Sequence, residues 1–209
     1  FSDLEIEKRF TKIYKNNLWG SDLSISGPGS EIQFAKKYSE QLVKLVSSKD
    51  IKSIFDAPCG DFGWMSETMN ICKINYLGGD IVKELVENNK NLYPKYKFVK
   101  FDITKDIFPN YHLYHCRDCF FHFSYEDIKK TLKQFTDSQI EYLLVTSHEG
   151  FFKNNDITTG GYRFLNLRKK PFFFDKPLLK IRDYKKGNMS RYMYLYKRDQ
   201  IKKFIKIFN

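Results

Sequence analysis

Residues 51–65 read IKSIFDAPCGDFGWM, and the fold follows from how they are read. A short apolar run, Ile51 to Phe55, ends in the acid Asp56. A turn holding Gly60 and Gly63 comes next, then a helical stretch from Trp64. A run this short, closed by turn residues, predicts a buried strand that passes directly into a helix. The unit recurs down the chain. Tyr76 to Asp80 predicts a second strand before a helix over Val82 to Asn91, and Lys97 to Asp102 alternates as a third strand. Tyr111 to Cys116 predicts a fourth. Ser124 then reads as an N-cap, with Glu126 and Asp127 as acids in the first turn of a helix running to about Phe135. Tyr142 to Ser147 is the most apolar run and predicts the central strand.

Upstream of this series, Leu4, Ile6, Phe10, Ile13 and Tyr14 stand at helix-like spacing. Ser26-Gly27-Pro28-Gly29-Ser30 breaks the chain, and Ser30 is expected to cap a helix reaching about Ser47. Downstream, a polar loop leads to a predicted hairpin, Leu178–Tyr184 and Arg191–Tyr196 around Lys186-Gly187-Asn188, and to a final helix over Asp199 to Phe208. Five strand-plus-connector units and a hairpin make an α/β fold, a mostly parallel sheet with one antiparallel strand. The 209 residues suit a single compact unit, read as an N-terminal helical cap with the SGPGS loop over 1–47 and a main domain over 48–209.

Composition narrows the classes. Aromatic residues at 17% exclude intrinsic disorder. Lys and Arg number 36 against 25 Asp and Glu, a net charge of +11 that raises nucleic acid, an acidic membrane or a small anion as partner. Lys, Asn, Ile, Phe and Tyr are all plentiful, so a general compositional bias accounts for much of that excess. No run reaches the ~18 apolar residues of a membrane span, and Phe1-Ser2-Asp3-Leu4-Glu5 carries no secretory pattern. Cys116 and Cys119 form a CxxC, but Cys59 and Cys72 supply no second such pair. Reduced thiols in a cytoplasmic protein are therefore expected, rather than a zinc ribbon.

Functional residues are expected beyond the carboxyl ends of the strands. Asp56, Asp80 and Asp102 end the first three strands, 24 and 22 residues apart, and carboxylates so placed can accept hydrogen bonds from ribose hydroxyls. Gly60 and Gly63 let the backbone approach a ligand. The turn has neither GxGxxG nor a Gly-Lys-Ser/Thr phosphate loop, which disfavours NAD and ATP.

The turn DAPCGDFGWM at 56–65 resembles motif I of class I S-adenosylmethionine-dependent methyltransferases, in a variant that replaces the commoner DxGxGxG. The resemblance spans most of the chain: SGPGS at 26–30, GDIVKELVENN at 79–89, FDIT at 101–104, CRDCFFHFS at 116–124 and YLLVTS at 142–147. It continues in NNDITTGGYRFLNLRKKPF at 154–172, similar to a family pattern NxDIxTGxWRPLNLxxPPF. The family implied is one often encoded with bacterial surface-polysaccharide genes. The fold implied is the Rossmann-like class I methyltransferase fold, a mostly parallel seven-stranded sheet with one antiparallel strand and helices on both faces.

By this resemblance Asp56 and Gly60 line the methionine part of S-adenosylmethionine, and Ala57 also belongs to the cofactor site. Asp80 and Ile81 hold the ribose, Asp102 and Ile103 frame the adenine, and Cys116 and Arg117 border the site. Trp64 is expected near the cofactor, since an aromatic face attracts a sulfonium as it does other cations. Arg117, Asp118 and His122 fall where the methyl group is delivered. His122 is the leading general base because its ordinary pKa suits neutral pH, with Asp118 orienting it or acting instead. His148, Glu149, Asn154, Asp156, Tyr162, Arg163 and Asn166 are the expected acceptor residues, with Arg163 and Arg117 able to clamp an anion. A divalent metal on Asp118, His122, His148 and Glu149 is an open alternative that no ligand spacing favours. The expected activity is O-methylation of a sugar, nucleotide-linked and destined for capsule or other surface polysaccharide. RNA methylation, or N-methylation of another small metabolite, is the alternative. No membrane partner is expected, and no nucleic-acid motif supports RNA.

Overall fold

The computed structural model describes residues 5–150, 153–186 and 189–208. Seven strands are ordered β3-β2-β1-β4-β5-β7-β6 in one sheet. They are β1 (Ser53–Asp56), β2 (Asn75–Asp80), β3 (Lys97–Lys100), β4 (Leu113–Cys116), β5 (Tyr142–Glu149), β6 (Leu179–Lys186) and β7 (Met189–Lys197). The first five are parallel, and β7 runs antiparallel to both β5 and β6. The helices are α1 (Ile6–Lys15), α2 (Ile32–Ser48), α3 (Gly63–Cys72), α4 (Lys83–Leu92), α5 (Tyr125–Asp137) and α6 (Arg198–Phe208).

Side-chain alternation along the strands builds two cores. Phe55, Tyr114, Leu143, Val145, Tyr194 and Tyr196 point to one face, where Phe10 and Ile13 of α1, Leu132 and Phe135 of α5 and Ile201 of α6 cover them. Ile54, Leu113, Leu144, Met193 and Leu195 point to the other, against Ala35, Tyr38, Leu42 and Leu45 of α2 and Met65 and Met69 of α3. The central strands β4 and β5 are therefore near-continuous apolar runs, as parallel strands covered on both faces must be. α2 has no side-chain cap, and its register is set by the buried stripe at 35, 38, 42, 45 and 46. Fully burying one Leu there stabilises by ~1.5–3 kcal/mol.

Local expectations differ in three places. Ser30 does not cap α2: it ends a short 3-10 turn, Pro28–Ser30, and Glu31 takes the N-cap position without a side-chain bond. The third strand stops at Lys100, so Asp102 lies in the following loop. The fourth begins at Leu113 rather than Tyr111. Ser124 does cap α5, its Oγ accepting from Asp127 N. Leu4 and the hairpin tip at Gly187 and Asn188 lie outside the described residues. Among the described residues no helix is long and apolar enough to cross a membrane.

Candidate functional site

The chain runs outward from β1 through β2 to β3, then crosses back to place β4 on the other side of β1. This reversal leaves a crevice beyond the carboxyl ends of β1 and β4, where ligands of open α/β sheets bind. A cleft partly open to solvent occupies that position.

Its floor is the turn after β1. Gly60 has φ +55°, and a Cβ there would lie 2.4 Å from Ser26 Oγ, so both conformation and space demand glycine. Ser26 Oγ accepts from Asp61 N (2.8 Å), and Ser24 Oγ donates to Asp61 Oδ2 (2.5 Å). Asn89 of α4 holds the turn from behind through Nδ2 to Gly60 O (2.7 Å). The SGPGS segment thus docks onto the turn, and Ser26 and Ser30, with Trp19 and Ile25 just before them, become part of the cleft wall.

Asp56 and His115 are register partners on β1 and β4. Asp56 accepts from Tyr76 OH (2.7 Å), and its other oxygen lies 2.6 Å from His115 Nδ1, while His115 Nε2 is 2.7 Å from Tyr38 OH. This chain of buried groups borders the cleft with its polar atoms already paired.

Asp80, at the end of β2, is 6% exposed and accepts from Val82 N (3.0 Å) and Gly60 N (3.2 Å). Burial raises its pKa to about 6, against the lowering effect of the Val82, Gly60 and Ile81 amides. Ile81, Phe101, Asp102 and Ile103 continue the wall. Asp102 Oδ1 accepts from Thr104 N and Oγ1. Ala57 and Cys116 are fully buried and contribute no wall; Cys119 lines the cleft instead.

The far end of the cleft is built around four charges. Arg117 makes a two-pronged contact with Asp183 through Nε (3.1 Å) and Nη2 (2.9 Å), and Nη2 also donates to Gly29 O (2.7 Å). Arg191 Nη1 lies 2.9 Å from Asp118 Oδ2, and Arg191 Nε is 3.0 Å from Asp183. Gly29 seats against this cluster: a Cβ there would be 2.7 Å from Asp118 Oδ2. The Arg117 guanidinium sits 5.1 Å above the Trp64 ring, so a protein cation already faces that indole. Burial alone would raise the Asp118 carboxyl, but Arg191 and Arg117 hold it below the usual range. That makes it a weak proton acceptor.

His122 is different. Its Nδ1 lies 2.7 Å from Gly161 O, and a carbonyl only accepts, so Nδ1 carries the proton. Nε2 is then the basic nitrogen, with no hydrogen-bond partner among the described residues. Burial lowers the His122 pKa, keeping the imidazole neutral at pH 7. His115 and His148 offer no such atom, because His148 Nδ1 accepts from Leu165 N (3.3 Å) and burial lowers its pKa to about 4.

Most of the expected acceptor residues serve to hold the long loop after β5. Asn154 Nδ2 donates to Asn166 O and Lys170 O, and its Oδ1 accepts from Asn166 N. Asn166 Oδ1 accepts from Arg168 N, and Asp156 Oδ1 from Tyr125 N. Arg163 donates to Phe123 O (2.6 Å) from a buried position. Glu149 pairs with Lys180 and Tyr194 OH. Tyr162 is 58% exposed, its ring beside that of His122. Among the described residues no three His, Cys, Asp or Glu side chains converge to hold a metal ion.

The sequence reading missed Trp19, Cys119, Asp183 and Arg191. Cys119 lies in the CRDCFFHFS segment just after β4 but was given no site role; no motif marks the other three, which reach the site by long-range packing and antiparallel pairing.

No family model matches the chain, and no curated protein matches it in sequence. Solved structures do share its architecture. Magnesium protoporphyrin IX methyltransferase from Synechocystis PCC 6803, with bound S-adenosylhomocysteine, superimposes with a TM-score of 0.62 at 9% identity, over 93% of this chain and 100% of that one. An S-adenosylmethionine-dependent methyltransferase from Clostridium acetobutylicum ATCC 824 gives 0.56 at 14% identity, over 92% and 99%. Human N-acetylserotonin methyltransferase in complex with S-adenosylmethionine gives 0.56 at 13% identity, over 91% of this chain and 59% of that one. At such identities the likeness is one of fold: this chain has the Rossmann-like fold of class I methyltransferases.

Proposed function

We propose that the chain is an S-adenosylmethionine-dependent O-methyltransferase acting on a hydroxyl of a sugar. The observation that carries the cofactor is Asp80. Asp80 is a buried carboxylate at the cleft wall, its pKa raised by burial although backbone amides donate to it, and a carboxylate has lone pairs enough to accept from a ligand as well. A ribose diol supplies two O–H donors. Ile81, Phe101 and Ile103 add an apolar wall suited to adenine, and the Gly60 turn leaves room for the amino-acid end. When bound, the cofactor supplies an electrophilic methyl group.

The protein's own part is positioning and proton removal. Acceptor alignment can contribute several kcal/mol. His122 Nε2 takes the hydroxyl proton, and the Nδ1–H to Gly161 O bond fixes ring and tautomer and steadies the charge that develops. Asp118, held ionised by Arg191, faces that charge at longer range and stabilises it. Arg117 ties β4 to β6 and to the SGPGS segment. A sugar in surface-polysaccharide synthesis is the acceptor that the sequence resemblance supports. Its nucleotide-linked form loses one support, since Arg117 and Arg163 are engaged elsewhere.

Calorimetric titration with S-adenosylhomocysteine tests the assignment. One-site binding that Asp80→Ala abolishes is expected, and no binding by the unaltered chain refutes it. Product mass spectrometry over a panel of sugars and nucleotide sugars then identifies the acceptor. Methylation of RNA with none of the sugars would overturn the sugar reading.

A further inference from the structure

Beyond His122 the wall of the site turns aromatic. Ring centroids are 5.6 Å apart from Trp19 to His122, 5.7 Å from His122 to Tyr162 and 5.7 Å from Tyr162 to Phe164. Buried Phe121 underlies the strip, 4.5 Å from His122 and 5.6 Å from Tyr162. Tyr162 is 58% and Phe164 38% exposed, so large apolar faces meet solvent beside the His122 ring. The arginines at this end of the site are engaged: Arg117 with Asp183, Arg191 with Asp118, Arg163 with Phe123 O. Adjacent rings are inclined at 39°, 55° and 73°, so no two form the parallel slot that sandwiches a flat base or phenyl ring. Such a strip suits a puckered ring that lays C–H bonds on a π face and turns its hydroxyls away. Those hydrogens, polarised by neighbouring oxygens, meet the negative face of the aromatic ring.

We propose that Tyr162, flanked by Trp19 and Phe164, is the acceptor platform, on which a neutral pyranose ring stacks with one hydroxyl beside His122 Nε2. This rests on the methyltransferase reading above and deepens it. Recognition falls on the sugar ring itself, and selectivity among acceptors follows which face of the ring is free of axial substituents.

Saturation-transfer NMR with a panel of methyl pyranosides tests it, run with and without S-adenosylhomocysteine, with uridine diphosphate and phenol as the anionic and flat aromatic probes. Saturation of the C–H protons on one face of a pyranoside is expected. Tyr162→Ala should weaken that binding about two- to tenfold with unchanged affinity for S-adenosylhomocysteine, and Tyr162→Phe should retain it. The exposed position of Tyr162 keeps folding out of the comparison. Pyranoside contacts indifferent to Tyr162→Ala, or a panel in which only uridine diphosphate or phenol binds, would overturn the platform. Failure to bind S-adenosylhomocysteine would instead remove the methyltransferase reading, with the platform still tested by the pyranosides alone.

Discussion

Replacing Asp80 by Asn should make the protein more stable at neutral pH while weakening its hold on the cofactor. The carboxyl is raised from an ordinary 3.8 to about 6 by burial, which corresponds to roughly 3 kcal/mol of unfavourable charge burial once the group is ionised. Asn removes that charge. Its Oδ1 can keep the Val82 amide, but its NH2 then faces the Gly60 amide, donor against donor, at a cost of about 1–2 kcal/mol. The net gain at pH 7 is about 1–2 kcal/mol.

The sign of the pH dependence is the sharper test. Between pH 3.8 and about 6 the folded chain keeps a proton on Asp80 that the unfolded chain has lost. This group's contribution to stability therefore falls as pH rises through that window and is flat above it. Asp80→Asn has no such slope. The stability difference, variant minus wild type, should accordingly rise by about 2–3 kcal/mol from pH 4 to pH 7. Urea unfolding of both proteins at half-unit pH steps measures it, and every other titrating group cancels in the subtraction. A difference that stays constant with pH would show that Asp80 is not held protonated by burial, and would remove the buried-carboxylate argument for a ribose site. Calorimetry on the same variant should show S-adenosylhomocysteine binding weakened by about tenfold or more.

Three further outcomes follow from the geometry. His122→Ala should lower kcat by about 10²–10⁴ with unchanged S-adenosylhomocysteine affinity. The acid limb of the wild-type rate profile should fall below pH 6.5, where the lowered His122 pKa lies; full turnover by the variant would remove His122 as base. Asp183→Ala leaves Arg117 and Arg191 buried against a missing carboxylate, so urea unfolding should show a loss of about 3–5 kcal/mol. A loss under 1 kcal/mol would mean the cluster is not a structural latch. Gly60→Ala combines a left-handed φ with a 2.4 Å approach to Ser26 Oγ. Limited proteolysis should cut faster within residues 21–31, and an unchanged rate would show that the SGPGS segment is not held through that turn.

The residues that a βα unit places by itself were legible in the sequence. Asp56 and Asp80 end their strands, Gly60 sits in the turn and His122 follows β4, because each lies within a few residues of the strand that positions it. Asp102 was placed less well, since β3 ends two residues earlier and the loop carries it to the cleft. The acceptor loop was not legible at the level of roles. Asn154, Asp156, Arg163 and Asn166 suggest a polar binding surface as a string of residue types. A long loop, however, must satisfy its own backbone groups when it packs against the protein, and side-chain amides, carboxylates and guanidiniums are the means of doing so. The same chemistry that suits sugar hydroxyls suits carbonyls and amides nearby, and the nearby groups are already in place.

The net charge of +11 illustrates the same competition. Read from composition, it invites an anionic partner, and Arg117 and Arg163 are the cations nearest the expected chemistry. Yet Arg117, Arg191, Asp118 and Asp183 form a buried set whose formal charges cancel, with side-chain exposures of 4%, 9%, 18% and 0%. Arginines buried this deeply require carboxylate partners, because an unpaired buried charge costs several kcal/mol. Burial at the site therefore selects for neutrality, and the lysines that make up the excess lie, among the described residues, almost entirely on the solvent-facing surface. A chain can be strongly basic overall while its cleft presents an apolar wall, the neutral His122 imidazole and the buried Asp80 carboxylate. On the proposed reading it is that buried carboxylate, not the net charge, that selects the ligand.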